Sequence, residues 1–278
     1  MSFISKILFI SLFLTTTISA NSIDDKILEF EKNRFSNNKR VEIKNLSINF
    51  KKSLPVKNWY GYIIDIDAKI ADKNVKAKDI VFSNGTVVSP DLFDIKTGNS
   101  LKEMMTLPLT SKYYDKKRLI AGNHDAKDKI VIFSDPLCPF CLDYVPDIIK
   151  FVNKNSQNIA LYYYHFPLLQ IHKAANALSK AMLVASNKGV KDVTLKVYEA
   201  DFDSYFNADK ADEKKILNAF NKVLKTNIKL DEIQNKEIQK EIQKDMLMGE
   251  NVMVEGTPTI FVNGEQDKTK NKYKQLGR

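Results

Sequence analysis

From Ser22 to Phe35 the chain sets Ile23, Ile27, Leu28 and Phe30 among acids and lysines, with Ser22 placed to cap the segment. This spacing predicts a first helix. Alternating or continuously apolar stretches follow at Val41 to Phe50, Trp59 to Ile70 and Ile80 to Val88, separated by Ser-Leu-Pro, Ala-Asp-Lys-Asn and Asn84-Gly85. They predict antiparallel strands, with Asn84-Gly85 as a tight hairpin turn. Residues 21–109 therefore read as a small α+β domain, and they contain neither cysteine nor histidine.

Between Thr110 and Lys129 the pattern gives way to Ser-Lys-Tyr-Tyr-Asp-Lys-Lys-Arg and then Ala121-Gly122-Asn123-His124-Asp125. Residues 110–128 read as a linker, part connecting helix and part turn, with the domain boundary near Gly122. Asn123, His124 and Asp125 carry metal-ligand chemistry, but no further donor clusters with them, so a polar loop is the reading.

From Lys129 to the C-terminus the alternation becomes an α/β order. Ile130-Val131-Ile132-Phe133 is a short apolar run of the kind buried within a sheet. Val145, Ile148, Ile149, Phe151 and Val152 give the next segment a helical apolar side, and Ile159 to Phe166 reads as a second strand stopped by Pro167. Helical patterns then cover Leu168 to Ala185, Val193 to Phe206, Asp212 to Lys225 and Leu230 to Met248. Thr257-Pro258 opens the strand Thr259 to Val262, and Asn263-Gly264 turns it. The fold class is α/β with a helical insertion at about 168–250, preceded by the small α+β domain.

The N-terminus changes the picture of compartment. Lys6, an apolar run from Ile7 to Leu14 and a small-residue ending at Ser19-Ala20 follow the order of a cleaved export signal, residues 1–20, cut near Ala20. The run is short of the ~20 residues a membrane span needs, and no cysteine stands at the cut to take a lipid anchor. The expected product is a soluble protein of the periplasm, where disulfides persist. The whole chain of 278 residues carries a formal charge of +9, one unit of which belongs to Lys6. Its lysines are spread rather than gathered into an arm, which argues for a solvated basic surface and against nucleic acid.

The only two cysteines are Cys138 and Cys141, within Ser134-Asp135-Pro136-Leu137-Cys138-Pro139-Phe140-Cys141. A bridge across so small a loop staples nothing, and three scattered histidines and no second cysteine pair leave a zinc site without ligands. Dithiol chemistry is the remaining use. Pro139 suits the first position of a helix, so unpaired amides and the positive end of the helix dipole would face the Cys138 sulfur. A thiol pKa lowered by three units would correspond to about 4 kcal/mol of thiolate stabilisation. Cys138 is the candidate nucleophile, and Cys141, three positions on and on the same helical face, is the candidate resolving thiol. No organic cofactor is needed.

With Val254-Glu255-Gly256-Thr257-Pro258-Thr259-Ile260-Phe261 added to that motif, the region from about Lys129 onward resembles exported thioredoxin-fold thiol:disulfide oxidoreductases, especially the two-domain DsbC/DsbG group. The resemblance implies a thioredoxin-like catalytic domain, 129–278, in which Pro258 is cis beside Cys138 and Thr257 presents its backbone to substrate. It also implies that residues 21–109 form a dimerisation domain, and that the clients are unfolded or misfolded exported proteins. Thr257 is similar to the residue of the isomerase/reductase branch, recharged by a DsbD-like membrane donor. Tyr164-His165-Phe166-Pro167-Leu168 is similar to a strand ending of oxidase relatives, which a DsbB-like protein reoxidises, so the direction of electron flow stays open. Ile132 occupies the position at which the oxidase branch carries an acid. An exported chaperone or holdase with secondary redox activity is the reading from a different class.

Softer candidates complete the site. Pro139 and Phe140 shape it, and the Thr257 hydroxyl is placed to bond near the sulfurs. Asp135 is expected to orient the loop before Cys138, and His165 to tune the site through its charge or to serve a structural role. Phe140, Tyr162 to Tyr164 and Phe166 are candidates for an apolar client surface or for core. His172 is expected to be packing or surface.

Overall fold

The computed structural model describes residues 22–38 and 40–277, so the expected export signal lies outside the described residues. The chain divides into two compact units, Met1–Met105 and Thr106–Arg278. Among the described residues no helix is long and apolar enough to cross a membrane.

The first unit begins with α1 (Ile23–Ser36), capped reciprocally by Ser22 and Asp25. The Ser22 hydroxyl accepts from the Asp25 amide at 3.1 Å, and the Asp25 carboxylate accepts from the Ser22 amide at 3.0 Å, so two otherwise unpaired donors are satisfied. The strands β1 (Val41–Ser53), β2 (Tyr60–Ile70), β3 (Lys73–Ser83) and β4 (Val88–Ser89) form an antiparallel sheet in sequence order. Ile27 of α1 is buried among Tyr62, Ile64, Ile66 and Val81 of the sheet, a contact worth about 2 kcal/mol.

Two details of this unit differ from the sequence reading. Of the expected spacer Ala-Asp-Lys-Asn, only Ala71 and Asp72 turn the chain, and the strand resumes at Lys73 opposite Ile70. Lys73 and Lys76 are exposed and Lys78 is half-buried against Asp65, so the lysines of β3 interrupt the apolar alternation. The expected strand Ile80 to Val88 is split: Asn84 Oδ1 accepts from the amides of Thr86 and Val87, both at 3.0 Å, and turns β3 into the two-residue β4.

The second unit holds β5 (Leu119–Gly122), β6 (Asp128–Ser134), β7 (Ile159–His165), β8 (Thr259–Val262) and β9 (Glu265–Gln266) in a sheet of order β5-β7-β6-β8-β9. The central pair β6–β7 is parallel, and β8 runs antiparallel to β6. Between β6 and β7 lies α2 (Pro139–Lys154), whose Val145, Ile148, Ile149 and Val152 are buried. Between β7 and β8 come α3 (Ala175–Asn187), α4 (Val193–Tyr198), α5 (Glu213–Leu224), α6 (Leu230–Ile233) and α7 (Lys236–Asn251). Together they make the α/β domain with its helical insertion.

Several boundaries differ from the expected ones for local reasons. The division of the chain falls between Met105 and Thr106, whereas Gly122 lies at the end of β5, an edge strand too short to show a period. The segment expected as a helix from Leu168 enters α3 only at Ala175, because the amides of Ile171 and His172 bond back to the Leu168 carbonyl in a separate turn. Val193 to Phe206 is helical only to Tyr198, with Phe202 and Phe206 buried in turns. The Asn235 side chain accepts from the Glu237 amide and starts α7 afresh, so Leu230 to Met248 is two helices.

Candidate active site

The parallel β6–β7 pair ends with Ser134 opposite His165, so the segments leaving both strands emerge at the same edge of the sheet. The turn after β6 delivers Cys138. This residue is the N-cap of α2 in extended conformation, with Pro139 at the first helical position. Its carbonyl accepts from the Cys141 amide at 2.8 Å and the Leu142 amide at 3.0 Å, which closes the first turn and sets Cys141 on the same face. Both thiols are free and buried.

The second piece of the site arrives from the other side of β6. The Thr257-Pro258 peptide is cis and immediately precedes β8. The Cys138 thiol donates to the Thr257 carbonyl oxygen at 3.5 Å, joining the two motifs across more than a hundred positions of sequence. The Thr257 hydroxyl is buried without a conventional hydrogen-bond partner, yet Thr257 faces both thiols and favours the ionised form of each.

The two sulfurs are electrostatically unlike. A hydrogen bond from Cys141 is the largest cause that holds the Cys138 pKa down to about 5, helped by Thr257 and by the amides of Cys141 and Phe140 at the helix start. These act against the burial that would raise it. Cys141 is pushed up instead, first by burial and then by its hydrogen bond to Cys138. The pair shares one easily lost proton, and Cys138 is the sulfur that gives it up. Such an arrangement can attack a disulfide through Cys138 and then resolve the mixed disulfide through Cys141.

Asp135 is fully buried and holds the loop in shape. Its Oδ1 accepts from the Leu137 amide at 2.7 Å, and its Oδ2 accepts from the Leu168 amide at 2.7 Å and meets His172 Nδ1 at 3.0 Å. The Asp135 carbonyl also accepts from the Cys138 amide at 3.2 Å. His172, expected as packing or surface, is thus bound to the loop that carries the nucleophile. No local sequence signal marks this contact, because it depends on β6 and β7 pairing in parallel and ending at one edge.

His165 does not tune the site through its charge. Burial holds its pKa down to about 3, with Arg118 contributing, so the ring is neutral at physiological pH. Its amide donates to Asp245 Oδ2 at 3.2 Å, and Asp245 pairs with Arg118 at 2.7 Å. This buried ion pair had no sequence signature. The aromatic candidates divide as well: Tyr162, Tyr163, Tyr164 and Phe166 are buried, whereas Phe140 is 73% exposed beside the cysteines. Only Phe140 of that set offers an apolar surface at the site.

A further group escaped the sequence reading. Ser134, buried at the end of β6, favours ionisation of Cys141 against the burial that raises its pKa. Tyr198 donates to Ser134 Oγ at 2.7 Å, and the Tyr163 and Tyr198 hydroxyls stand 2.9 Å apart.

A dithiol at a strand-to-helix junction beside a cis proline defines a thiol:disulfide oxidoreductase, and family comparison agrees. Residues 115–278, more than half of the chain, match the family model described as Thioredoxin, and the chain belongs to that family. Among solved structures it is similar to oxidised BdbD from Bacillus subtilis at 18% identity and a TM-score of 0.48, over 61% of this chain and 92% of that one. A thioredoxin-like oxidoreductase from Silicibacter pomeroyi DSS-3 gives 18% and 0.47, over 57% and 87%. The thiol-disulfide exchange protein alpha-DsbA2 from Wolbachia pipientis gives 19% and 0.45, over 59% and 90%. No curated protein matches the chain.

Proposed function

We propose that this protein carries out thiol:disulfide interchange on exported polypeptides in the periplasm, acting as an isomerase or reductase of the DsbC/DsbG kind. The observation that carries the reading is the contrast within the pair, a Cys138 pKa held to about 5 beside a buried Cys141 pushed up. The Cys138 thiolate attacks one sulfur of a client disulfide, forming a Cys138–client bond and releasing the other client thiolate. A second client thiolate then displaces Cys138, which leaves enzyme and client with their electrons unchanged and the disulfide moved. Alternatively the Cys141 thiolate attacks the Cys138 sulfur, so the client leaves with two electrons more and the enzyme carries the Cys138–Cys141 disulfide. Reduction therefore requires a membrane dithiol donor of the DsbD type. Exposed Phe140 gives the client chain an apolar surface next to the sulfur. Residues 21–109 serve as a dimerisation domain, and sedimentation as a monomer at working concentration would remove that part of the proposal.

The low Cys138 pKa favours a second reading. A thiolate stabilised near pH 5 stabilises the reduced enzyme and makes the disulfide form oxidising, as a disulfide donor reloaded by a DsbB-like protein requires. One experiment separates the two: trap mixed disulfides on Cys141→Ala enzyme in its native compartment and read the resting redox state of the wild type. Mostly reduced enzyme captured with a reducing membrane partner supports isomerase or reductase action. Mostly oxidised enzyme captured with newly exported clients supports donation.

A further inference from the structure

Cys138 is held from both sides. On its C-terminal side the carbonyl accepts from the Cys141 and Leu142 amides at 2.8 and 3.0 Å, which closes the first turn of α2. On its N-terminal side the Cys138 amide donates to the Asp135 carbonyl at 3.2 Å, and the Leu137 amide donates to Asp135 Oδ1 at 2.7 Å. These bonds set where the Cys138 sulfur lies over the helix start, and with it the 3.5 Å contact to the Thr257 carbonyl. An N-cap side chain is favoured by the unpaired amides and the helix dipole only while it stays over that first turn.

The Asp135 carboxylate is fully buried, so donors in fixed positions must orient it in place of water. The Leu137 amide holds Oδ1, while the Leu168 amide at 2.7 Å and His172 Nδ1 at 3.0 Å hold Oδ2. His172 is the one side-chain donor of the three. A carboxylate only accepts, so Nδ1 carries the proton of this bond. The imidazole is itself well placed: the His172 amide donates to the Leu168 carbonyl at 2.8 Å, and its carbonyl accepts from the Ala175 amide at 3.0 Å. It thus reaches from the turn before α3 to the turn before α2.

We propose that His172 is a positioning residue for thiol:disulfide exchange: through Nδ1 it locks the Asp135 carboxylate, which holds residues 135–138 and keeps the Cys138 sulfur over the N-terminus of α2. It touches no reacting atom. Without the imidazole, Oδ2 keeps a single partner and the turn gains freedom. The Cys138 thiolate then loses part of the stabilisation that the helix start and Thr257 supply, and the reduced enzyme loses the same amount.

The proposal rests on the dithiol reading, and the test separates the two. Reduced full-length enzyme is alkylated with iodoacetamide across a pH series, and each protein is also equilibrated with glutathione buffers. His172→Ala should raise the pH midpoint of Cys138 by about half a unit and shift the glutathione equilibrium about threefold toward the disulfide form. His172→Asn should restore both, because in asparagine as in histidine a donor nitrogen is bonded to Cγ. Asp135→Asn breaks the junction from the other end: it keeps an oxygen for the Leu137 amide, turns an amide group toward Leu168 and His172, and should shift both readouts in the same direction as His172→Ala. Midpoints unmoved in His172→Ala and Asp135→Asn overturn the positioning role, whatever stability those variants lose. A His172→Asn midpoint displaced as far as that of His172→Ala overturns it too. Should His172→Ala fail to fold, Asp135→Asn decides alone. A wild-type midpoint in the ordinary thiol range overturns the dithiol reading instead.

Discussion

His172 Nδ1 stands 3.0 Å from Oδ2 of Asp135, a bond between the turn that precedes Cys138 and the turn that follows β7. Asp135 spends both oxygens on this junction, with the amides of Leu137 and Leu168 each at 2.7 Å. Replacing it by alanine strands two buried or half-buried amides and one imidazole, and the expected loss is about 3 kcal/mol. His172→Ala removes one of the three partners and should cost about 1 kcal/mol. Urea unfolding of the reduced proteins gives both numbers, and equal costs would mean that the carboxyl is not the centre of the junction.

Cys138 should react with iodoacetamide along a titration curve centred at about pH 5, because hydrogen bonds from Cys141, Thr257 and two amides favour its thiolate. Cys141→Ala removes the largest of these causes and should move the midpoint upward. The stability consequence has a definite sign. Since the folded pKa lies below the ordinary thiol value of 9.0, the thiolate stabilises the reduced fold fully above pH 9, and this contribution fades as pH falls toward 5. The stability gap between reduced wild type and Cys138→Ser should therefore narrow on acidification. A gap that widens toward pH 5 would contradict a depressed Cys138 pKa.

The sequence made the catalytic half of the site legible and its support nearly invisible. Cys138, Pro139, Cys141 and Thr257-Pro258 carry their meaning in local spacing and in residue types whose chemistry is unusual, so a linear reading reaches them. Asp135 was readable as a loop-orienting residue for the same reason. Its partner His172 was not, because their contact depends on two parallel strands ending at one edge, and strand pairing is not written in either segment alone. Ser134, Tyr198 and Tyr163 look like ordinary polar and aromatic residues of a strand and a short helix. Their alignment exists only once α4 packs against α2, which both bury residues in the same core. Helix boundaries failed where a turn interrupted an unbroken apolar period, as at Leu168 and Asn235.

Arg118 and Asp245 form a buried pair at 2.7 Å, extended by Glu241 at 2.7 Å from the same guanidinium. Removing Arg118 leaves buried Asp245, whose pKa burial raises to about 7, without the cation that opposes that rise. Arg118→Ala should cost about 3–5 kcal/mol, whereas the double change Arg118→Met with Asp245→Leu should recover most of that loss. Thermal or urea unfolding of the three proteins decides the matter. If the double variant is no more stable than Arg118→Ala, the pair contributes more than mutual compensation of buried charge.

Gly122 ends β5 with φ at +80°, and a Cβ built there would lie 1.9 Å from the carbonyl oxygen of Ile159 on β7. That oxygen accepts from the Asn123 amide at 3.1 Å, so it cannot withdraw without giving up a hydrogen bond at the sheet edge. Alanine at this position therefore meets two penalties, a left-handed backbone costing about 1–2 kcal/mol and a backbone clash that pushes β5 away from β7. Gly189 supplies the control within the same unit: its φ is +79°, and nothing lies within 4 Å of its Cβ position. Gly189→Ala should lose about 1 kcal/mol from backbone strain alone, while Gly122→Ala should lose about 3 kcal/mol or more. Because the two dihedrals are nearly equal, the difference in urea unfolding free energy isolates the clash. Equal losses would show that β5 is free to shift on its neighbour, and that the close approach of Gly122 to β7 does not hold this edge of the sheet in place.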